Sequence, residues 1–199
     1  MKGIAFDLGN VLIKVDFKKY ITEWHRQKLY KREDVWHFLN SIQAGQDLGL
    51  TTMSDSLELR HGVSGKKLRL LHEAWRDSLI KNEQMFSFVE DLKKEREVAL
   101  LSNIGSEHAL VVREKYGELF DRAHLHLSYE VGARKPTKLY FQSFLLQHSN
   151  FHGGVFVDDR DENLLMGREL GFKDYKFDLH AIKDLSNELK MLYNIMNAI

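Results

Sequence analysis

Apolar residues fall along the chain in two rhythms. Four short runs have strand length: Gly3-Ile-Ala-Phe, Val98-Ala-Leu-Leu, Ala123-His-Leu-His-Leu and Gly154-Val-Phe-Val. The first, second and fourth pass directly into polar or glycine residues, as strands do where they meet a turn. Runs this continuously apolar suit strands buried on both faces, the situation inside a parallel sheet. Between them the spacing changes to a helical period over 106–116, 137–147 and 160–170, the last followed by Gly171 as a C-cap. A weaker run, Lys173-Asp-Tyr-Lys-Phe, predicts a fifth strand. Ile182, Leu185, Leu189, Leu192 and Ile195 then step by three or four, which predicts a closing helix over about 180–197 packed on the core. Strand and helix in alternation make an α/β protein with a Rossmann-like, doubly wound parallel sheet.

One interval breaks the alternation. From Phe17 to about Ile80 the sequence is amphipathic and helical, rich in Trp, Leu and Lys, with no strand of comparable quality. A crossover between parallel strands needs far fewer residues. The expectation is therefore an α/β core over 1–16 and 81–199, with 17–80 inserted as a helical cap. Helix breaks are predicted at 45–52 and 62–65, and a core helix over about 83–95. Trp24, Trp36 and Trp75 sit at apolar helical positions and are expected in the cap's own core.

Composition narrows the range of functions. The 29 Lys and Arg balance 29 Asp and Glu, so there is no net charge to suggest a nucleic-acid groove or a membrane-binding patch. The absence of Cys excludes disulfides, thiolate metal sites and a cysteine nucleophile. No apolar run approaches the roughly 20 residues of a membrane span. Asp7 interrupts the early apolar run, so the N-terminal residues do not read as a signal peptide. A soluble cytoplasmic protein is expected, with its oligomeric state left open.

In an open parallel sheet, ligands bind beyond the carboxyl ends of the strands. Asp7 follows the first run, Ser102 and Asn103 the second, and Asp158 and Asp159 the fourth; a loop after the third leads to Lys135-Pro136. Each has an ordinary alternative: Asp7 as a turn residue, Ser102 as a helix cap, Lys135 as a solvated surface charge, and the two Asp as favourable charges at a helix start. Occurring together at successive strand ends, they point to a site of carboxylates, polar donors and one cation.

The ordered segments Phe-Asp-Leu-Gly-Asn-Val-Leu, Leu-Leu-Ser-Asn, Gly-Ala-Arg-Lys-Pro and Phe-Val-Asp-Asp-Arg-Asp-Glu-Asn resemble the four motifs of the haloacid dehalogenase (HAD) superfamily. The insertion after the first motif lies where that superfamily carries its helical type 1 cap. The similarity is greatest to the subgroup of bacterial α-glucose-1-phosphate phosphatases and the N-terminal phosphatase domain of epoxide hydrolase. The resemblance implies a Mg²⁺-dependent phosphatase of a small phosphorylated metabolite, a sugar phosphate being favoured, with Asp7 as nucleophile through an aspartyl-phosphate. It implies that Ser102 and Asn103 hold the phosphoryl oxygens and that Lys135 neutralises charge. Asp159 would be the acidic metal ligand beside Asp158, with Asn163 on the next helix and Asp7 and the Gly9 carbonyl completing the metal site. Gln46 and Asp47 fall where relatives turn a cap loop toward the substrate, although an exposed helix connection explains them equally well. The alternatives are a 2-haloacid dehalogenase, which wants an apolar halide cradle and no metal, and a catalytically weak binding module.

The first motif departs from the family's usual Asp-x-Asp, because Gly9 holds the place of the second carboxylate. Glycine has no proton to transfer, and general acid–base assistance is worth about 10²- to 10⁴-fold. The expectation is a preference for good leaving groups, or an acid borrowed from water or from the cap. Asn10 is one position off and is read as a turn or helix-entry residue.

Overall fold

A computed structural model describes residues 1–28 and 32–199. Five parallel strands, β1 (Ile4–Phe6), β4 (Val98–Ser102), β5 (Ala123–Leu127), β6 (Val155–Asp158) and β7 (Lys173–Lys176), form one sheet in the order β5-β4-β1-β6-β7. A second, antiparallel pair joins β2 (Ile13–Val15) to β3 (Leu79–Lys81). This pair was not foreseen: it lies at the two ends of the interval from Phe17 to about Ile80, in which no strand of comparable quality to the apolar runs was expected. Each of its strands has three residues, too few to show a period, and partners 66 positions apart, Lys14 and Ile80, meet only because the insertion folds back on itself.

The helices are α1 (Phe17–Arg26), α2 (Arg32–Asp47), α3 (Met53–His61), α4 (Gly65–Ser78), α5 (Glu83–Glu95), α6 (Ser106–Tyr116), α7 (Ser128–Val131), α8 (Lys138–Gln147), α9 (Asp161–Glu169) and α10 (Leu185–Asn197). Those over 83–95 and 106–116 match the periods read from sequence, and α8 to α10 differ by a few terminal residues. Side chains alternate across the pleat. Ile4, Phe6, Val98, Leu100 and Val157 face a cluster with Met85, Phe86 and Val89 of α5, Val112 of α6 and Leu192 of α10. Ala5, Ala99 and Leu101 face the other way, onto Phe141 and Phe144 of α8 and onto Phe151, Phe156 and Phe172. The small residues on that face leave space for the rings, which pack largely edge to face.

Helices α1 to α4 gather around their own cluster of Tyr20, Ile21, Trp24, Phe38, Ile42, Leu57 and Leu71. Trp24 is fully buried there. Helix α2 runs through Gly45 to Asp47, further than the predicted break, because Gly45 lies in its final turn and a glycine costs a helix only about 1 kcal/mol. Gly62 ends α3 in the left-handed conformation, as expected of a C-cap.

Three contacts seat these helices on the sheet-bearing part. The Glu107 carboxylate in the first turn of α6 accepts from the Ser54 amide at 3.1 Å and from the Ser54 hydroxyl, which also meets His72 Nε2 at 3.0 Å. Lys115 donates to the carbonyls of Arg76 and Leu79. Gly49, at φ +71°, lies so close to Tyr129 that a Cβ would stand 2.6 Å from its carbonyl oxygen.

Candidate active site

β1 is central, and β4 and β6 flank it in register, so the residues following these three strands converge on one edge of the sheet. The Asp7 amide still donates to the Val157 carbonyl at 2.9 Å, which holds Asp7 as a continuation of the ladder. The chain then turns sharply: Asn10 N reaches Ile13 O, and Leu12 N and Ile13 N both reach Leu8 O. Asn10 adopts φ +59° to make this turn, so its role is a turn and not a helix entry. None of these bonds uses the Gly9 carbonyl.

Lys135 occupies the centre of the site. Its ammonium lies 2.9 Å from Asp7 Oδ1 and 2.6 Å from Asp158 Oδ2, and its side chain is 1 % exposed. The main chain of Lys135 is clamped from both sides, its N–H donating to Asn103 Oδ1 and its carbonyl accepting from Asn103 Nδ2, each at 2.8 Å. Asn103 was expected to offer its amide to the phosphoryl oxygens; in the structure that amide is engaged with Lys135. Ser102 is buried beside it in the pocket wall.

Asp158 and Asp159 have different environments. The wholly buried Asp158 accepts from Lys135, from the Arg160 amide at 2.9 Å and from Asn163 Nδ2 at 2.9 and 3.1 Å. Both its oxygens accept hydrogen bonds, so it is a fixed counter-charge of Lys135 within the acidic cluster where the sequence suggested a metal site. Asp159 accepts only from Asn10 Nδ2, at 3.2 Å, among the described residues. The carboxylate oxygens of Asp7, Asp158 and Asp159 nevertheless lie within 4.8 Å of one another.

Three carboxylates against one ammonium leave excess negative charge in a buried place. Burial pushes the Asp7 carboxyl up to about 7, Lys135 opposing and Asp158 reinforcing the shift. Burial also raises Asp159. For Lys135 burial works against the charge, but Asp158 and Asp7 outweigh it and hold the ammonium above its ordinary range. A hard divalent cation would relieve this imbalance, and the available donors suit one: the Asp7 and Asp159 carboxylates and the Gly9 carbonyl are all oxygen.

The roof comes from α1, α2 and α4. Together with the strand ends they enclose a cavity of about 280 Å³. Asp47, the last residue of α2, lines it and is only 4 % exposed; the exposed-connection reading is thereby excluded. The Arg134 guanidinium lies 3.1 Å from Asp47 Oδ2. The ion pair engages that oxygen without hydrogen-bond geometry, and Arg134 Nε has no acceptor among the described residues. Burial raises the Asp47 carboxyl to about 6 in spite of Arg134. Gln46 is buried against Gly105. Trp36 and Trp75 also line the cavity; Trp75 packs on the cap cluster as expected, whereas Trp36 is exposed where the sequence had placed it in the cap core. Trp75 stacks on His108 at 4.2 Å, and burial, then His72, lowers His108 to about 4. His124 and His126 lie along β5 away from this end, His124 against Glu97 and His126 against Tyr140.

Sequence reading passed over Arg134, although it stands next to Lys135 in the third motif, because no spacing rule pairs it with a residue 87 positions earlier. It also missed the contact of Asn10 with Asp159. Both depend on which strand ends become neighbours.

The architecture is a parallel α/β sheet whose strand ends carry an acidic, lysine-centred cavity roofed by helices. Comparison with known proteins agrees. No protein-family profile matches the chain. The D-ribitol-5-phosphate phosphatase of Bacteroides thetaiotaomicron is 26 % identical over 211 residues, covering 98 % of this chain and 99 % of that protein. A HAD family enzyme from B. thetaiotaomicron superposes with a TM-score of 0.81 at 24 % identity over 94 % of this chain and 98 % of its own; the wild-type complex with magnesium and inorganic phosphate gives 0.79 at 23 %, over 94 % and 98 %. A HAD-like hydrolase from Porphyromonas gingivalis gives 0.77 at 18 %, covering 96 % and 98 %. Over nearly its whole length the chain shares the fold of haloacid dehalogenase-family enzymes.

Proposed function

We propose that this protein is a Mg²⁺-dependent phosphatase acting on a small phosphorylated metabolite, a sugar or polyol phosphate, in the cytoplasm. The observation that carries this reading is Lys135, buried between Asp7 and Asp158 with Asp159 alongside, at the floor of a roofed cavity of about 280 Å³. The 26 % identical relative acts, by its name, on D-ribitol-5-phosphate, which supports a polyol or sugar phosphate here. Residues 1–16 and 81–199 would form the catalytic core and 17–80 the cap. Among the described residues no helix is long and apolar enough to cross a membrane.

In this reading Asp7 attacks phosphorus and Lys135 offsets the charge of nucleophile and phosphoryl group together. Asp158 and Asn103 hold Lys135 in place from its two ends, and the Ser102 hydroxyl faces the phosphoryl oxygens. Asp7, Asp159 and the Gly9 carbonyl would hold Mg²⁺, which would supply the further positive charge that a phosphate dianion needs beside a carboxylate. Positioning and charge compensation are most of what phosphoryl transfer asks of a protein. The acidic cluster disfavours a dehalogenase, which has no use for a cation there.

A panel of phosphorylated metabolites assayed with and without Mg²⁺, beside Asp7→Asn, tests the reading. Activity dependent on both the metal and Asp7 is expected. Equal residual activity in wild type and variant across the panel would end it.

A further inference from the structure

We propose that Asp47 is the general acid and base of this site, supplying from the cap the proton transfer that Gly9 cannot. The inference rests on the phosphatase reading and adds a catalytic residue to it.

Four observations lead there. An alkyl phosphate of the polyol class leaves as an alkoxide, a poor leaving group without a proton, so some acid must reach it. Gly9 has no side chain, and its backbone does not require glycine: it is not among the positive-φ glycines, and the nearest atom to a Cβ there would be Val15 Cγ2 at 4.0 Å. Asp47 is a carboxyl on the cavity wall, only 4 % exposed, with its Oδ2 ion-paired to the Arg134 guanidinium at 3.1 Å. A carboxyl fixed on a cavity wall by a single cation is placed to meet a polar group of the ligand. Finally, in-line displacement puts the leaving oxygen on the side of phosphorus opposite Asp7. Asp7 lies at the edge of the sheet, so the leaving oxygen faces the cap, where Asp47 is.

The position is fixed. Asp47 is in the last turn of α2, and the turn after it is held by close contact of Gly49 with Tyr129 and of Gln46 with Gly105. Arg134, at 3.1 Å, orients the carboxyl from the core side. Burial raises its carboxyl in spite of Arg134, toward the range in which one group can both give and take a proton.

The two half-reactions balance. In the first, Asp7 forms a bond to phosphorus, the bond from phosphorus to the leaving oxygen breaks, and the Asp47 proton passes to that oxygen; the alcohol departs. In the second, water attacks phosphorus and gives its proton to the Asp47 carboxylate. The Asp7–phosphorus bond breaks, inorganic phosphate leaves, and both carboxyl groups return to their starting states.

The decisive comparison is kcat/KM, which reports steps up to formation of the aspartyl-phosphate, for two substrates without hydroxyls: an alkyl phosphate and p-nitrophenyl phosphate. Neither offers a hydroxyl for Asp47 to bind, so a loss of substrate contact would not distinguish them. Asp47→Asn is expected to lower the ratio of alkyl to aryl kcat/KM by about 10²-fold or more, and Gly9→Asp added to Asp47→Asn to restore it at least tenfold. An unchanged ratio in Asp47→Asn, or a loss confined to KM, overturns the assignment. Failure of the wild type to cleave p-nitrophenyl phosphate in an Asp7-dependent way would instead remove the phosphatase reading itself. Circular dichroism and thermal melting of each variant separate misfolding from lost chemistry.

Discussion

At the scale of single residues the site is a problem in charge. Asp7 is pushed up to about 7, from an ordinary 3.8, chiefly by burial. In the metal-free protein the folded state therefore holds this proton to higher pH than the unfolded chain does. The stability it contributes is complete below about 3.8 and is lost as pH rises through 7. Asn carries no such liability. Metal-free Asp7→Asn is thus expected to melt above wild type at pH 8, by a few degrees for each kcal/mol at about 2–4 °C per kcal/mol for a chain of this size. The difference should shrink toward pH 5. A variant that melts lower than wild type at pH 8 would show that the ion pair with Lys135 outweighs burial. The residues themselves were legible: Asp7, Ser102, Lys135 and Asp159 each stand where an apolar run ends or a motif marks them. Their partners were not. That Asn103 binds the Lys135 main chain, and that Asn163 satisfies Asp158, follows from distances that no spacing along the chain encodes.

Among elements, the turn after α2 has the largest effect for its size. It carries Asp47 and rests on the core through Gly49, whose left-handed φ and approach to the Tyr129 carbonyl both exclude a side chain. Gly49→Ala would meet that carbonyl and strain the backbone, at a cost on the order of 1–3 kcal/mol. The cap should relieve the clash by lifting from α7. Expected outcomes are a lower Tm and a fall in kcat/KM of about tenfold, measured by thermal melting and steady-state assay; unchanged kinetics would mean that the turn does not set the position of the cap. Gly45 and Gly49 were visible as a helix break. The helix ends at Asp47, and Gly49 beyond it takes the left-handed conformation against Tyr129. The short β2–β3 pair was invisible for a related reason, since three-residue strands carry no periodicity and acquire their pairing only when the insertion closes.

For the whole molecule, metal and fold are coupled through the same excess of negative charge. A cation that binds only the folded site stabilises it by RT ln(1 + [Mg²⁺]/Kd), about 2.7 kcal/mol at a hundred times Kd. Because the metal competes with the proton on Asp7, the rise in Tm on adding Mg²⁺ should grow from pH 6 to pH 8, and chelation should reverse it. A gain independent of pH would place the metal away from Asp7. This prediction needs no substrate, so it tests the cation site separately from catalysis.

The sequence by itself determined the architecture. Continuous apolar runs can be buried only as strands covered on both sides, and a 3.6-residue period between them leaves little but an α/β sheet with helices on each face. The length of the interval after the first strand determined that something helical was inserted there. Tertiary structure decided the rest: which strand ends become neighbours, that Asp158 is used up on Lys135 while Asp159 stays open, and that Asp47 is turned into the cavity beside Arg134. These depend on strand order and on how the cap settles on the sheet. Such contacts join residues far apart in the chain, and local periodicity carries no information about them.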